Sequence, residues 1–340
     1  TYLKADHPVA TFYADINYAG TAIGLEEGSY KSSDLEDYGI KLKDITSIKA
    51  LPGFKVTIYT ADNFGGNSKA FTGDVNYVGA DWNDKMMSVK IEASGVSGVS
   101  GVRIINNRKS SKNLDVAGFS TVAGTQLIQY NVTNTDNQRF EFKEISNGVY
   151  RLQVKNAGGK YLGIRNGSYD NGAALETQNL NNNAKSQQFI LVEAGDGFYK
   201  LVARHSGKIV EISSGSMDND ALAQQWTNNG QVCGQWTINY YCGTTVSIAP
   251  ASKVLTCTES SVVLTANANE SVTYKWSGNG TASTKNVTNA GTYTVTVTNG
   301  VGCTATTSVS VSANKTAPTI TIGGAKDITC KTASMVLTAS

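Results

Sequence analysis

Histidine is nearly missing from this 340-residue chain: there are two, His7 and His205, far apart in sequence. That scarcity removes His-rich metal triads and leaves little for a Ser/His or Cys/His nucleophile. Charge is sparse as well, at 16% of residues, with 29 Lys plus Arg against 27 Asp plus Glu and a formal net charge of +2. With no long basic run, neither a nucleic-acid groove nor an anionic membrane surface is favoured. No apolar run approaches the roughly 18 to 20 residues that span a bilayer, so no membrane insertion is expected. The chain opens on Thr with no charged-then-apolar leader, which reads as a processed or excised piece. Cysteine is confined to the last third, as Cys233, Cys242, Cys257, Cys303 and Cys330, with no C-x-x-C or Cys/His cluster. That spacing disfavours zinc and favours disulfides in an oxidising compartment, hence a secreted or cell-surface setting.

What is abundant is Ser, Thr, Asn and Gly, in short β-rich runs such as "TYTVTVTNG" between turn signals, which reads as all-β. The length calls for two or three domains. The first, 8–92, holds a doublet: "YADINYAG" (Tyr13, Tyr18, Gly20) returns 46 residues later as "YTADNFGG" (Tyr59, Phe64, Gly66). Two rings and a glycine at this spacing suit a folded-over β-hairpin, because the rings pack together and glycine accepts a positive φ at the corner. The doublet resembles the βγ-crystallin family, which implies two Greek keys. In microbial calcium-binding members each key carries two Asn or Asp, two variable residues, then Ser or Thr and Ser, oxygens that suit a hard cation. Here "NDKMMS" keeps Asn83, Asp84 and Ser88 but has Met87, and "LKDITS" keeps Thr46 and Ser47 but starts on Leu42 and Lys43. Since the family exchanges ligands between keys, the resemblance implies one Ca2+ site, built from Thr46, Asn83 and Asp84, against the alternative of a calcium-independent structural domain.

A Ser/Gly/Val run at 94–102 then has the composition of a flexible connector at a domain boundary. The second domain, 102–240, repeats three times. "GTQLIQY", "GAALETQ" and "DALAQQW" follow one another at 48-residue steps, as do "NLDV", "YLGI" and "IVEI" upstream of them. Each copy closes on an aromatic, Phe140, Phe189 or Trp236, within "NQRF", "SQQF" and "CGQW". Three such copies imply a closed pseudo-three-fold β structure with the closing rings in a shared core. They resemble the ricin-type β-trefoil, widespread among lectins and carbohydrate-binding modules, with Phe for Trp in two repeats and Gly234 in place of the third Gln.

In that family a sugar lies between an early carboxylate and a ring that covers the apolar face of the pyranose. The matching positions hold Asp115 and Tyr130 in the first repeat, Gly163 and Gln178 in the second, and Glu211 and Trp226 in the third. The resemblance therefore implies a complete first site, a dead second site and a third site of altered geometry. Asn131, Thr133 and Asn134 in the first repeat, and Asn228 and Asn229 in the third, are candidate hydroxyl contacts, while Gln138 is expected to brace the fold. A position that accepts Gln178 in one copy is not central core, which favours binding over mere packing for Tyr130 and Trp226.

The third domain, 246–313, alternates Tyr293, Val295 and Val297 with Thr, turns at "NGVG" and offers Trp276 as a core anchor, which fits an immunoglobulin-like sandwich. Cys257 and Cys303 are expected to pair, while pairing of Cys233 with Cys242 is left open. This domain resembles the tandem adhesion-type repeats of secreted Bacteroidetes proteins. "DITCKTASMVLTA" (327–339) matches "VLTCTESSVVLTA" (254–266), so 318–340 begins a second, truncated repeat and further linked domains are expected. Carboxylates occur in every domain, but nothing places two in one cleft, and no turnover is expected of this chain. The reading is a non-catalytic region that holds a secreted protein on a polysaccharide or glycan. An adhesin with an immunoglobulin-like stalk, or a purely structural spacer, is the alternative.

Overall fold

In a computed structural model, residues 2–133, 135–156, 158–316, 319–323 and 338–339 are described. The protein is all-β, in two compact units, Thr1–Tyr241 and Cys242–Ser340. Among the described residues no helix is long and apolar enough to cross a membrane.

The first unit opens with two Greek keys that exchange strands. One sheet orders Ala22–Leu25, Ala10–Tyr13 and Ser47–Ala50; the other orders Gly28–Tyr30, Ser88–Ala93, Phe54–Tyr59 and Ser68–Thr72. Gly28–Tyr30 leaves the first key for the second sheet, and Val75 of the second key bridges Ile48 of the first. Alternation does the sorting: Phe54, Val56 and Ile58 face the core while Lys55, Thr57 and Tyr59 face outward. The folded hairpins form as expected, with Tyr13 edge-on to Tyr18 at 5.7 Å and Tyr59 to Phe64 at 5.8 Å. Gly20 and Gly66 sit at φ 73° and 70°, and a Cβ on Gly20 would lie 2.5 Å from the Asp15 carboxylate. The serine ending each motif clasps its corner: Ser47 accepts from Tyr18 N and donates to Asp15 O, and Ser88 accepts from Phe64 N and donates to Ala61 O.

The same unit continues into a closed ring of six strands. Gly101–Asn107 pairs with Phe140–Ser146, then Val149–Val154, Phe189–Gly195, Phe198–Ala203 and Trp236–Tyr240 follow, and the last pairs back to the first. Three hairpins cap it: Asn113–Val116 with Leu127–Tyr130, Tyr161–Ile164 with Leu175–Gln178, and Ile209–Ile212 with Ala223–Trp226. The closing rings Phe140, Phe189 and Trp236 are fully buried in one core, and Trp236 Nε1 donates to Val210 O at 2.9 Å. Around the pseudo-three-fold axis Gln129, Thr177 and Gln225 each donate a backbone N–H to the neighbouring lobe, at Ala221, Thr125 and Ala173. On the axis, the amide nitrogen of Gln126 donates to one carbonyl from each lobe, Leu127, Leu175 and Ala223. The equivalent positions are Ala174 and Leu222.

The connector departs from expectation. Val96 N donates to Leu191 O, Tyr150 Oη donates to Val96 O and accepts from Val99 N, and Glu144 accepts from Gly98 N and Gly148 N. A Cβ on Gly148 would lie 2.1 Å from the Gly95 backbone, so two glycines let the connector lie flat on the trefoil. Its Gly/Ser composition signals close approach here rather than freedom. Beside it the Greek-key core gathers Val149, Ile190, Val202 and Ile209 from the trefoil. Glu27 accepts from Arg204 at 2.6 Å and Lys185 at 2.9 Å across the same seam. The 102–240 segment therefore keeps its own core but lends these four side chains to the interior of the 8–92 segment.

The second unit is a two-sheet sandwich. Val246–Ala249, Val262–Ala268 and Thr284–Val287 face Lys253–Leu255, Thr304–Ala313, Gly291–Asn299 and Val272–Trp276. Trp276, Val295 and Val297 are buried as expected, with Tyr293 packed at the edge. The disulfide is not the expected Cys257–Cys303. Cys303 joins Cys242, with Cα atoms 5.3 Å apart, and Cys257 is a free, exposed thiol. Leu255 pairs with Ala313, at the far end of the ten-residue strand that starts beside Cys303. At roughly 3.3 Å per residue, Cys257 is far beyond the ~7 Å Cα limit for a bridge. Cys242 arrives instead because the segment after it is tied at the right end: Thr244 donates to Glu270, and Glu270 also accepts from Asn299. Cys233 is buried and free, so Cys233 and Cys242 do not pair. Most of the expected second repeat, 318–340 with Cys330, lies outside the described residues; Ile322–Gly323 pairs with Thr338–Ala339.

Candidate functional site

The first-repeat hairpin sets Ile128 opposite Asp115 and Tyr130 opposite Asn113, so Asp115 and Tyr130 project from one face. They line one cavity of about 350 Å³, together with Thr133, Asn137, Phe119 and Asp220. The Asp115 carboxylate is held by amides on both oxygens: Asn137 Nδ2 donates to Oδ1 at 2.8 Å and Gln138 Nε2 to Oδ2 at 2.7 Å. Gln138 is fully buried and also accepts from Asn113 and Thr133 N, so it braces the site as expected. Burial pushes the Asp115 carboxyl above its usual range, the Gln138 and Asn137 bonds pull it back, and the negative charge of Asp220 adds to the rise. Asn131 is occupied by Lys112, and Asn134 lies outside the described residues.

Asn137, Phe119 and Asp220 escaped the sequence reading. Asn137 directly precedes the bracing Gln, and the copies hold Ser186 and Cys233 there. Asp220 comes from the third lobe, so its presence follows from the ring of lobe contacts rather than from any local motif.

In the second repeat a Cβ on Gly163 would lie 2.2 Å from Gln178 Oε1. The Gln178 amide has folded into the place a carboxylate would need, held by Gln187 Nε2 at 3.0 Å and donating to Ile164 O. In the third repeat Glu211 lies opposite Gln224 and Trp226 opposite Ile209, again on one face, with Trp226 37% exposed. Glu211 is buried; its carboxylate accepts from Gln224 at 3.2 Å and faces the Cys233 thiol at 3.8 Å. Burial raises its proton affinity against the Gln224 and Cys233 bonds. The two bracing amides of the first lobe are replaced by Cys233 and Gly234, and a Cβ on Gly234 would meet Ile209 at 2.4 Å. The Ile209 side chain occupies the space beside Gly234. Asn229 is exposed and its Oδ1 accepts from Gln231 N, while Asn228 lines a separate cleft beside Pro52.

In the Greek-key domain Thr46, Asn83 and Asp84 line one depression with Asp15, Asp44 and Asn76. The two motifs are laced together symmetrically, Lys43 N donating to Met86 O and Asp84 N to Ile45 O, which brings Thr46 of one beside Asn83 and Asp84 of the other. Asn83 donates to Asp84 at 2.6 Å, while its own Oδ1 is buried without a hydrogen-bond partner. An unpaired buried oxygen beside a carboxylate and a hydroxyl fits a hard cation. The other half-motif offers Lys43 and Met87, which supply no oxygen donor.

A family model described as ricin-type beta-trefoil lectin domain-like matches residues 93–178, 157–226 and 185–269, together just over half of the chain. Flavastacin of Elizabethkingia meningoseptica is 28% identical over 109 residues, which is 32% of this chain and 24% of that protein. Development-specific protein S of Myxococcus xanthus is 32% identical over 84 residues, which is 25% of this chain and 47% of that protein. The chain thus spans half or less of the length of these curated relatives. Among solved structures, the designed three-fold symmetric protein ThreeFoil shows 34% identity over 41% of this chain and 98% of its own, with a TM-score of 0.40. A betagamma-crystallin domain from Clostridium beijerinckii shows 44% identity over 25% of this chain and 97% of its own, with a TM-score of 0.25. Through these matched segments, the chain belongs to the ricin-type β-trefoil lectin domain-like family.

Proposed function

We propose that the first trefoil lobe is a carbohydrate-binding site that holds a larger secreted protein on a polysaccharide or cell-surface glycan. What supports this most is the amide-braced Asp115 carboxylate sharing a cavity with the half-exposed ring of Tyr130. The carboxylate has lone pairs left over to accept from two sugar hydroxyls, Asn137 adds an amide, and Tyr130 covers the apolar face of the ring. Glu211 and Trp226 form a second, weaker site of different preference. Each alone binds near the millimolar range, about −4 kcal/mol, and two on one rigid body gain by avidity on a polymer. A glycan array tests this: wild type is retained on at least one ligand, and a Tyr130→Ala/Trp226→Ala double variant loses it. Equal retention of both proteins on every ligand sinks the assignment.

The Greek-key depression supports a second binding reaction, one Ca2+ held by Asn83, Asp84 and Thr46, on the strength of the unpaired Asn83 Oδ1. At a hundredfold excess over Kd, a bound ion adds about 2.7 kcal/mol, or roughly 5 to 10 °C for a unit of this size. Calorimetry in millimolar calcium against excess EDTA is expected to show that rise, and Asp84→Ala to remove it. The same melting temperature in both buffers rejects the site.

A further inference from the structure

The three lobes can be overlaid on one another, and two positions break the pattern in the same place. In the turn after the early carboxylate, the second and third lobes carry Gly167 and Gly215 in the left-handed conformation, at φ 60° and 58°. The first lobe carries Phe119 there, at φ 56°, with its ring 52% exposed. At the lobe junctions Gly124 and Gly172 donate their N–H to Thr177 and Gln225 from φ 86° and 83°. The third copy of that junction is Asp220, which makes the same bond to Gln129 from φ 66°.

A phenyl-bearing residue in this region is strained, and an aspartate is tolerated there less well than glycine. Neither is required by the fold, since the other copies make the same turns with glycine. Both departures line the one cavity that holds Asp115 and Tyr130, whereas Gly124 and Gly167 line the corresponding depression of the second lobe. Strained residues that converge on a cavity point to a ligand.

The ligand class follows from what the two residues bring. Phe119 adds a second ring to the cavity lined by Tyr130, and Asp220 a second carboxylate that acts on Asp115; the cavity lining has no Lys or Arg, and Asp220 has no ion-pair partner among the described residues. Two rings and two acids without a counter-charge are the chemistry of a cation site. We infer that the first lobe selects a sugar bearing a protonated amine, a hexosamine with a free amino group, with Phe119 and Asp220 as the determinants. This rests on the carbohydrate reading above.

Chemical-shift titration of the whole chain near pH 6 compares the methyl glycosides of glucosamine and galactosamine, their N-acetyl forms, the neutral hexoses and glucuronic acid. The free amine is expected to bind about five- to tenfold more tightly than its N-acetyl form, with glucuronic acid weakest. Asp220→Asn should bring the amine and N-acetyl forms within about twofold while neutral binding survives. Phe119→Gly should weaken all of them without lowering the melting temperature, since glycine suits that backbone. N-acetyl forms that bind wild type as tightly as the amines, or an amine preference that survives Asp220→Asn, overturns the inference while leaving the sugar site standing. Absence of binding to every glycoside removes the carbohydrate reading, and this one with it.

Discussion

Replacing Asp115 by alanine is expected to reduce glycan binding at the first lobe below detection. Hydrogen bonds to a charged group contribute about 1.5 to 3 kcal/mol, so an affinity that starts near millimolar falls by roughly ten- to more than a hundredfold. Tyr130→Ala should weaken the site less, because it removes apolar contact and keeps the charge-assisted hydrogen bonds of Asp115. The fold should tolerate the loss of Asp115. Its carboxyl is raised by burial, so the folded state holds the proton more tightly than the unfolded chain. Its contribution to stability is therefore present at low pH and lost as pH rises through the raised value, the reverse of an ion-paired carboxylate. Near neutrality its ionisation costs stability, which offsets the two amide bonds lost with it. Sugar hydroxyls need the ionised form as acceptor. Affinity should be flat near neutral pH and decline on acidification from a higher pH than the ordinary aspartate value of 3.8 would give. A titration series from neutral to acid pH, with a melting curve for each protein, checks both statements. Undiminished binding by Asp115→Ala, or affinity that rises on acidification, contradicts them.

The second large effect concerns the sandwich. Cys303→Ser opens a loop of 61 residues. By the chain-entropy estimate such a closure is worth about 4 kcal/mol, a large part of what a small domain has in reserve. Cys257→Ser touches an exposed thiol and should stay within about 0.5 kcal/mol. Denaturant melts of the two variants under non-reducing conditions distinguish the pairings outright. Equal, large losses from both would restore the bridge that the sequence favoured.

That contrast shows what a sequence carries. Repeat spacing revealed the lobes, because a 48-residue step recurs in several columns at once. The same arithmetic set Asp115 and Tyr130, which line one cavity, against Gly163 and Gln178, where the Gln178 amide folds over the glycine. The Cys257 pairing failed because motif likeness says nothing of which end of a strand a residue reaches. The connector at 94–102 failed differently: glycine signals either freedom or close contact, and only the Gly95–Gly148 approach distinguishes them. Phe119 and Asp220 were readable in principle as the odd members of two glycine columns. Their meaning depends on backbone dihedrals and on a cavity assembled from two lobes.

One side chain at the centre of the trefoil limits how alike its thirds can be. Gln126 takes up one carbonyl from each lobe with its single amide nitrogen. Three identical copies would bring three glutamines to one point; Ala174 and Leu222 are the concession that prevents it. The duplicated architecture thus obliges its own parts to diverge at the axis, and any attempt to rebuild the protein from one lobe repeated three times must first decide which copy keeps the glutamine.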